Sequence, residues 1–303
     1  MSTHIDPSGR VAAGVGGISE IGVPDPEDLL RVVRTALAED LRYGPDATSA
    51  ATVPADAIAV GEFTPRAAGV LAGVPVATAV LDEVLGAEGY EVLTALPDGS
   101  RLAPGEPALA VRAPVRGLLT AERTALNLLC HLSGVATVTR AWVDAVAGTP
   151  AAIRDTRKTL PGLRLLEKYA VRCGGGVNHR LGLGDAVLIK DNHVAAAGSV
   201  SAALAAARAL APDLPCEVEV DSLDQLDEVL ALDAELVLLD NLTPADTAEA
   251  VRRRGSRATL LESSGGLVLR NAAGYASTGV DFISVGGITH SVTALDLGLD
   301  LRT

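Results

Sequence analysis

Residues 153–194 read IRDTRKTLPGLRLLEKYAVRCGGGVNHRLGLGDAVLIKDNHV. Ala151 to Thr156 has the short apolar run of a strand and ends in Asp-Thr-Arg-Lys-Thr. Pro161 opens an amphipathic helix through Arg172; proline suits a first turn, where the N–H it lacks has no partner anyway. Ala186 to Lys190 is a second short apolar strand, and it too ends in charge, Lys190-Asp191-Asn192-His193. Strand, helix and strand in succession predict a parallel βα unit, and polar groups at its strand ends mark the ligand side of an α/β barrel or open sheet.

The same stretch holds eight basic residues, Arg154, Arg157, Lys158, Arg164, Lys168, Arg172, Arg180 and Lys190, against four acidic ones, in a chain whose net charge is −13. A positive island in an acidic protein points to an anionic ligand. Nucleic acid fits poorly, because the acidic remainder repels a polyanion and no basic stripe with interleaved aromatics continues outward. Arg164, Lys168 and Arg172 lie four apart and read as a solvated helix face. Arg157, Lys158, Arg180 and Lys190 stand at strand ends or beside glycines and read as ligand contacts, with His179. Gly174-Gly175-Gly176 lets backbone approach a ligand or another segment closely, and His193 reads as a loop histidine.

From Ala151 onward the alternation repeats. Further strands are expected at Glu217 to Asp221, Leu236 to Asp240, Thr259 to Ser263 and Asp281 to Val285, with helices at Val200 to Leu210, Leu223 to Leu230, Pro244 to Arg254 and Leu269 to Thr278. Six such units imply an open or complete α/β barrel. In Glu217-Val-Glu219-Val-Asp221 the carboxylates share one face and need a cation, Lys190 or ligand hydroxyls to offset their desolvation. Asp240-Asn241 ends the next strand in the same style. Glu262-Ser-Ser264-Gly265-Gly and Val-Gly286-Gly287-Ile-Thr-His290 end the last two strands; their small residues suit a phosphate site.

The earlier half differs. Pro24-Asp-Pro-Glu opens a helix through about Leu41, and strands at Ile58 to Phe63, Tyr90 to Ala95 and Pro107 to Arg112 surround a helix near Pro75 to Leu85, a sheet with helices on one face in an α+β domain of its own. A long helical region from Gly117 to about Ala147 is expected to break at Ser133-Gly134, the domain seam; within it Arg123 reads as a surface charge. The expected layout is a lead-in at 1–24, an N-terminal domain at 25–134 to which 291–303 return, and a barrel domain at 135–290.

Hydrophobic residues make up 48% of the 303 positions but aromatics only 2%, so the core must be built of Ala, Val, Leu and Ile, as in helices packed on short parallel strands. Cys130, Cys173 and Cys216 are odd in number and widely spaced, which argues against a disulfide framework or a zinc site. Cys173 reads as a small buried hydrophobe. No apolar run approaches a membrane span of roughly 20 residues, and no leader pattern opens the chain, so a cytoplasmic protein without membrane partners is expected.

Taken together, Arg-Asp-Thr-Arg157-Lys158-Thr, Gly-Gly-Gly-x-x-His179-Arg180, Leu-Ile-Lys190-Asp-Asn-His, Glu217-Val-Glu219-Val, Leu-Asp240-Asn, Glu-Ser-Ser264-Gly265-Gly and Val-Gly286-Gly-x-Thr-His290 resemble the quinolinate phosphoribosyltransferase family, also called nicotinate-nucleotide pyrophosphorylase (carboxylating). Thr120-Ala-Glu-Arg123-Thr-x-Leu-Asn127 is similar to the family as well, and the likeness runs from about Pro26 to Asp300. The resemblance implies a reaction between quinolinate and phosphoribosyl pyrophosphate with Mg²⁺. It also implies an N-terminal α/β sandwich, an open α/β barrel and a homodimer with shared sites, and leaves open whether assembly continues to a hexamer. Under it, Arg157, His179, Arg180, Lys190 and, from the partner subunit, Arg123 bind quinolinate. Lys158, Glu219, Asp240, Ser264, Gly265, Gly286, Gly287 and His290 bind the phosphoribosyl donor, Glu219 and Asp240 hold Mg²⁺, and Lys158, Lys190, Glu219 and Asp240 are the catalytic set. Relatives acting on another substrate, and a silent barrel that only binds a sugar phosphate, are the alternatives.

Overall fold

A computed structural model describes residues 21–302. The expected lead-in therefore lies almost wholly outside the described residues. Helix α1 (Pro26–Asp40) starts where Asp25 accepts the Asp28 N–H at 2.9 Å and Pro26 occupies the first turn. Its Leu29, Val32, Val33 and Leu37 recur at helical spacing and are buried. After α2 (Ala47–Thr52) come β1 (Ile58–Pro65), β2 (Gly69–Val70), α3 (Val74–Leu85), β3 (Glu91–Ala95), β4 (Arg101–Leu102) and β5 (Leu109–Pro114). The Asp98 carboxylate caps α3 from a distance, accepting N–H groups from Gly73 at 2.7 Å and Val74 at 3.1 Å.

Helix α4 (Val115–Ala145) follows without a break at Ser133-Gly134, contrary to expectation. Those small residues serve close approach instead. A Cβ on Gly134 would stand 2.5 Å from the Thr293 carbonyl oxygen, and the Ser133 hydroxyl accepts the Ala72 N–H at 3.1 Å.

The remaining elements are β6 (Ala152–Arg154), α5 (Arg164–Cys173), β7 (Val187–Ile189), α6 (Asp191–Ala197), α7 (Val200–Leu210), β8 (Cys216–Val220), α8 (Leu223–Ala231), β9 (Leu236–Asp240), α9 (Pro244–Arg254) and β10 (Leu260–Ser264). A 3₁₀ turn (Leu269–Asn271), α10 (Ala272–Ala276), β11 (Phe282–Ser284), α11 (Gly287–His290) and β12 (Leu297–Arg302) complete the chain. The helix expected over Leu269 to Thr278 is thus a 3₁₀ turn followed by a short α-helix, and α5 begins at Arg164, after Pro161-Gly162.

Two compact units result. One gathers 21–140, Lys158–Gly175 and 287–302. Its antiparallel sheet has the order β12-β1-β5-β3, with β12 pairing β1 from Val60–Arg302 to Pro65–Leu297, so the C-terminal tail does return to the first sheet. The other gathers Ala141–Arg157 and Gly176–Gly286 around a six-stranded parallel sheet of order β6-β11-β10-β9-β8-β7. β6 and β7 are its edges and do not pair, so the barrel is open.

Within the first unit, α5 corrects the surface reading of its charges. Lys168 is fully buried and Arg164 and Arg172 are half-buried. The glycine run beside it meets α4: a Cβ on Gly174 would lie 2.6 Å from the Ala136 carbonyl oxygen. Close packing on a helix, one of the two readings of that run, explains this glycine. No single helix among the described residues is long and apolar enough to cross a membrane.

Candidate active site

In the parallel-sheet unit the predicted residues collect at the carboxyl ends of the strands, because each strand is short, apolar and followed at once by its polar residues. Arg157 follows β6, Lys190 follows β7, and Glu219 lies one residue before the end of β8. Asp240 and Ser264 are the last residues of β9 and β10, paired in parallel register, and Gly286 lies just past β11.

Asp155, buried, shapes the segment carrying His179 and Arg180. Its carboxylate accepts the Asn178 side-chain amide at 2.6 Å and the His179 backbone N–H at 2.8 Å. Asp185 then closes the next turn by accepting the Leu181 and Gly182 N–H groups at 2.5 and 2.8 Å. The Arg180 guanidinium donates to the Ala186 carbonyl at 3.2 Å. Partial burial, and next the positive charge of Arg157, pull its pKa below the usual guanidinium range. Arg157 is half-buried, and its Nε is buried with no hydrogen-bond acceptor. Two like charges that repel one another, one with an unsatisfied donor, have the chemistry to accept an anion with more than one negative oxygen.

His179 is 8% exposed, and its ring is committed to the protein. Nδ1 accepts the Arg180 N–H at 2.7 Å, so in the neutral ring Nε2 carries the proton. Nε2 faces Glu217 Oε2 at 3.0 Å and Glu262 Oε1 at 3.6 Å. Glu262 also receives Arg154 and the Ser284 hydroxyl, and Arg154 lies 4.8 Å over the Phe282 ring. Burial raises both glutamates, with Glu217 pushed up to about 7. Glu262 has strong donors whereas Glu217 Oε1 is buried without one, so Glu217 is the carboxyl that retains its proton near neutrality.

Lys190 Nζ pairs with Glu219 Oε2, which answers the requirement that these carboxylates be offset. The Lys190 backbone N–H donates to His193 Nδ1 at 3.0 Å, so His193 secures the first turn of α6. Asp240, partly exposed, accepts the Asn241 side-chain amide at 2.8 Å.

The other predicted residues belong to the antiparallel-sheet unit. Arg123 is exposed on α4, with Glu122 at 3.8 Å. Lys158 is exposed, and its carbonyl accepts the Thr289 hydroxyl at 2.8 Å. Gly287 starts α11 and His290 ends it, with Ser291 Oγ 2.6 Å from His290 Nδ1. Cys173 is buried beside Tyr169, its thiol pushed up to about 12 chiefly by that burial, in accord with a packing role.

Sequence reasoning reads Glu217 only as one of three carboxylates that need an offset, and does not single out Glu262 or Asp155. The alternation Glu217-Val-Glu219-Val was signal enough for the first; the other two are lone acids whose partners are set only by tertiary structure.

Comparison with known proteins shows the family. Residues 46–133 and 135–300 match the family models described as quinolinate phosphoribosyl transferase, N-terminal domain and C-terminal domain. The chain is 67% identical over 271 residues to the nicotinate-nucleotide pyrophosphorylase [carboxylating] of Mycobacterium leprae, covering 89% of this chain and 95% of that one. It is 42% identical over 236 residues to a probable nicotinate-nucleotide pyrophosphorylase of Synechocystis, covering 77% and 79%. The structure of the nicotinate-nucleotide pyrophosphorylase from Francisella tularensis superposes with a TM-score of 0.87 at 37% identity, covering 94% of this chain and 99% of that one. With both domains matched in order, and relatives this similar over most of their length, the chain belongs to the quinolinate phosphoribosyltransferase family.

Proposed function

We propose that the protein transfers the phosphoribosyl group of phosphoribosyl pyrophosphate to quinolinate with decarboxylation, giving nicotinate mononucleotide, pyrophosphate and CO₂ for NAD synthesis. The observation that carries this reading is the Arg157–Arg180 pair, two part-buried guanidiniums of which one has its pKa lowered by burial and then by the other's charge, while an Nε lacks an acceptor. Quinolinate is a planar pyridine with adjacent carboxylates and supplies the forked acceptors such a pair selects. Lys190 adds a third cation, His179 walls the pocket beside Arg180, and Arg123 would serve a partner subunit's site in a cytoplasmic homodimer.

Quinolinate held in this way presents its ring nitrogen to the anomeric carbon of the donor. The bond to pyrophosphate breaks, pyrophosphate leaves with the electron pair, and the nitrogen–ribose bond forms. Glu219 and Asp240 stabilise the positive charge that develops on the ribose between these events. Ser264, Gly265 and Gly286 hold the 5′-phosphate through small residues and backbone N–H groups. The ring nitrogen, now cationic, accepts the electrons released when the neighbouring carboxylate leaves as CO₂, and the ring carbon takes a proton. No protein nucleophile is needed, in keeping with the buried thiol of Cys173.

Glu219 and Asp240 present hard oxygen donors on adjacent strands, a set that fits Mg²⁺ whose remaining ligands come from water and donor oxygens. There Mg²⁺ would neutralise charge accumulating on the pyrophosphate. The decisive experiment is release of labelled CO₂ from carboxyl-labelled quinolinate. Release is expected only with both phosphoribosyl pyrophosphate and Mg²⁺ present, and no release from folded protein refutes the proposal.

A further inference from the structure

Asn241 has no role in the reading above, yet it stands between two groups that do. Among the described residues only Asp233 and Asn241 are non-glycine residues with positive φ, and Asn241 has φ 56° directly after the last residue of β9. Asparagine enters this left-handed region more readily than most residues, but one at a strand end beside a proposed site calls for a reason. Its side-chain amide supplies one. Nδ2 donates to Asp240 Oδ2 at 2.8 Å. Oδ1 points the other way, against the backbone of Gly265: a Cβ there would fall 2.2 Å from Asn241 Oδ1 and 2.9 Å from its backbone nitrogen. The Asn241 N–H also donates to the Ser264 carbonyl at 2.9 Å.

We infer that Asn241 is a positioning residue for the phosphoribosyl donor: its amide fixes the rotation of the Asp240 carboxylate and, through Gly265, its distance from the turn proposed to hold the 5′-phosphate. The inference rests on the functional reading above. A carboxylate with one oxygen held by a neutral amide keeps its other oxygen aimed and its charge intact. The left-handed backbone turns the side chain back across the strand end, where an ordinary β conformation would carry it to the opposite face of the sheet. Gly265, itself at φ 90°, leaves the space that the amide fills.

Two variants separate the amide from the backbone it sits on. Asn241→Gly keeps the positive φ without strain and removes the amide. It should fold with unchanged thermal stability, raise KM for phosphoribosyl pyrophosphate and lower kcat for a combined loss of about tenfold to a hundredfold, and leave KM for quinolinate within about twofold, the range expected for one charge-assisted hydrogen bond. Asn241→Asp keeps shape and backbone preference but sets a second carboxylate against Asp240, and should lose at least as much. If the Asp variant works as well as the wild type, the residue merely fills space and the inference is overturned. It is also overturned if Asn241→Gly retains kcat/KM for phosphoribosyl pyrophosphate within about threefold, while turnover by the wild type leaves the functional reading standing. A wild type without turnover removes both.

Discussion

Replacing Glu217 by glutamine should abolish a pH dependence of stability that the fold creates. Glu217 is 3% exposed on β8 and its carboxyl is pushed from the ordinary 4.5 to about 7, chiefly by burial, with Arg154 and Arg180 opposing and Glu219 adding to the rise. Below pH 4.5 the carboxyl is protonated whether the chain is folded or not. Between pH 4.5 and 7 the unfolded chain has released a proton that the folded chain still holds, so folding loses ~1.4 kcal/mol for every pH unit climbed, about 3 kcal/mol in all, and nothing further above pH 7.

 Glutamine cannot ionise, and its side-chain oxygen can still accept the His179 Nε2–H. The stability of Glu217→Gln relative to wild type should therefore rise by about 3 kcal/mol from pH 4.5 to pH 7 and then level off. Urea denaturation at half-unit steps from pH 4.5 to 8, followed through the single, buried Trp142, measures it directly. A stability difference that stays constant across that window, or that falls as pH rises, refutes the assignment of the proton to Glu217.

Arg157→Lys and Arg180→Lys should each raise KM for quinolinate by about tenfold to a hundredfold, since an ammonium cannot reproduce the forked contact; steady-state kinetics with each substrate varied will check this. Gly265→Ala should destabilise the fold by about 1–3 kcal/mol and raise KM for phosphoribosyl pyrophosphate, because the added Cβ meets Asn241 at a backbone of φ 90°; thermal melts and kinetics report the two effects separately. Cys173→Ala should retain kcat close to wild type, and native wild-type Cys173 should resist alkylation at pH 8 while the unfolded chain reacts, which peptide mapping would detect.

What the sequence by itself determined was the succession of elements and the side of the sheet on which the chemistry lies. β9, α7 and α9 fall at the residues expected, because short apolar runs followed by Asp, Ser or Gly and helices opened by Ser199 or Thr243 are local signals read within a few residues. Arg157, Lys190, Glu219, Asp240 and Ser264 were legible for the same reason, each standing at or near a strand end. Tertiary structure decided the rest, because it depends on which distant segments meet. Ser133-Gly134 has the composition of a helix break, yet the helix runs through it and the Thr293 carbonyl packs against it. Lys168 had the spacing of a surface charge yet is fully buried, since helical periodicity says which residues share a face but not what covers that face. Which groups meet the two His179 nitrogens, the Arg180 N–H at one and the carboxylates of Glu217 and Glu262 at the other, is decided there too, because no local pattern encodes their convergence from β8 and β10.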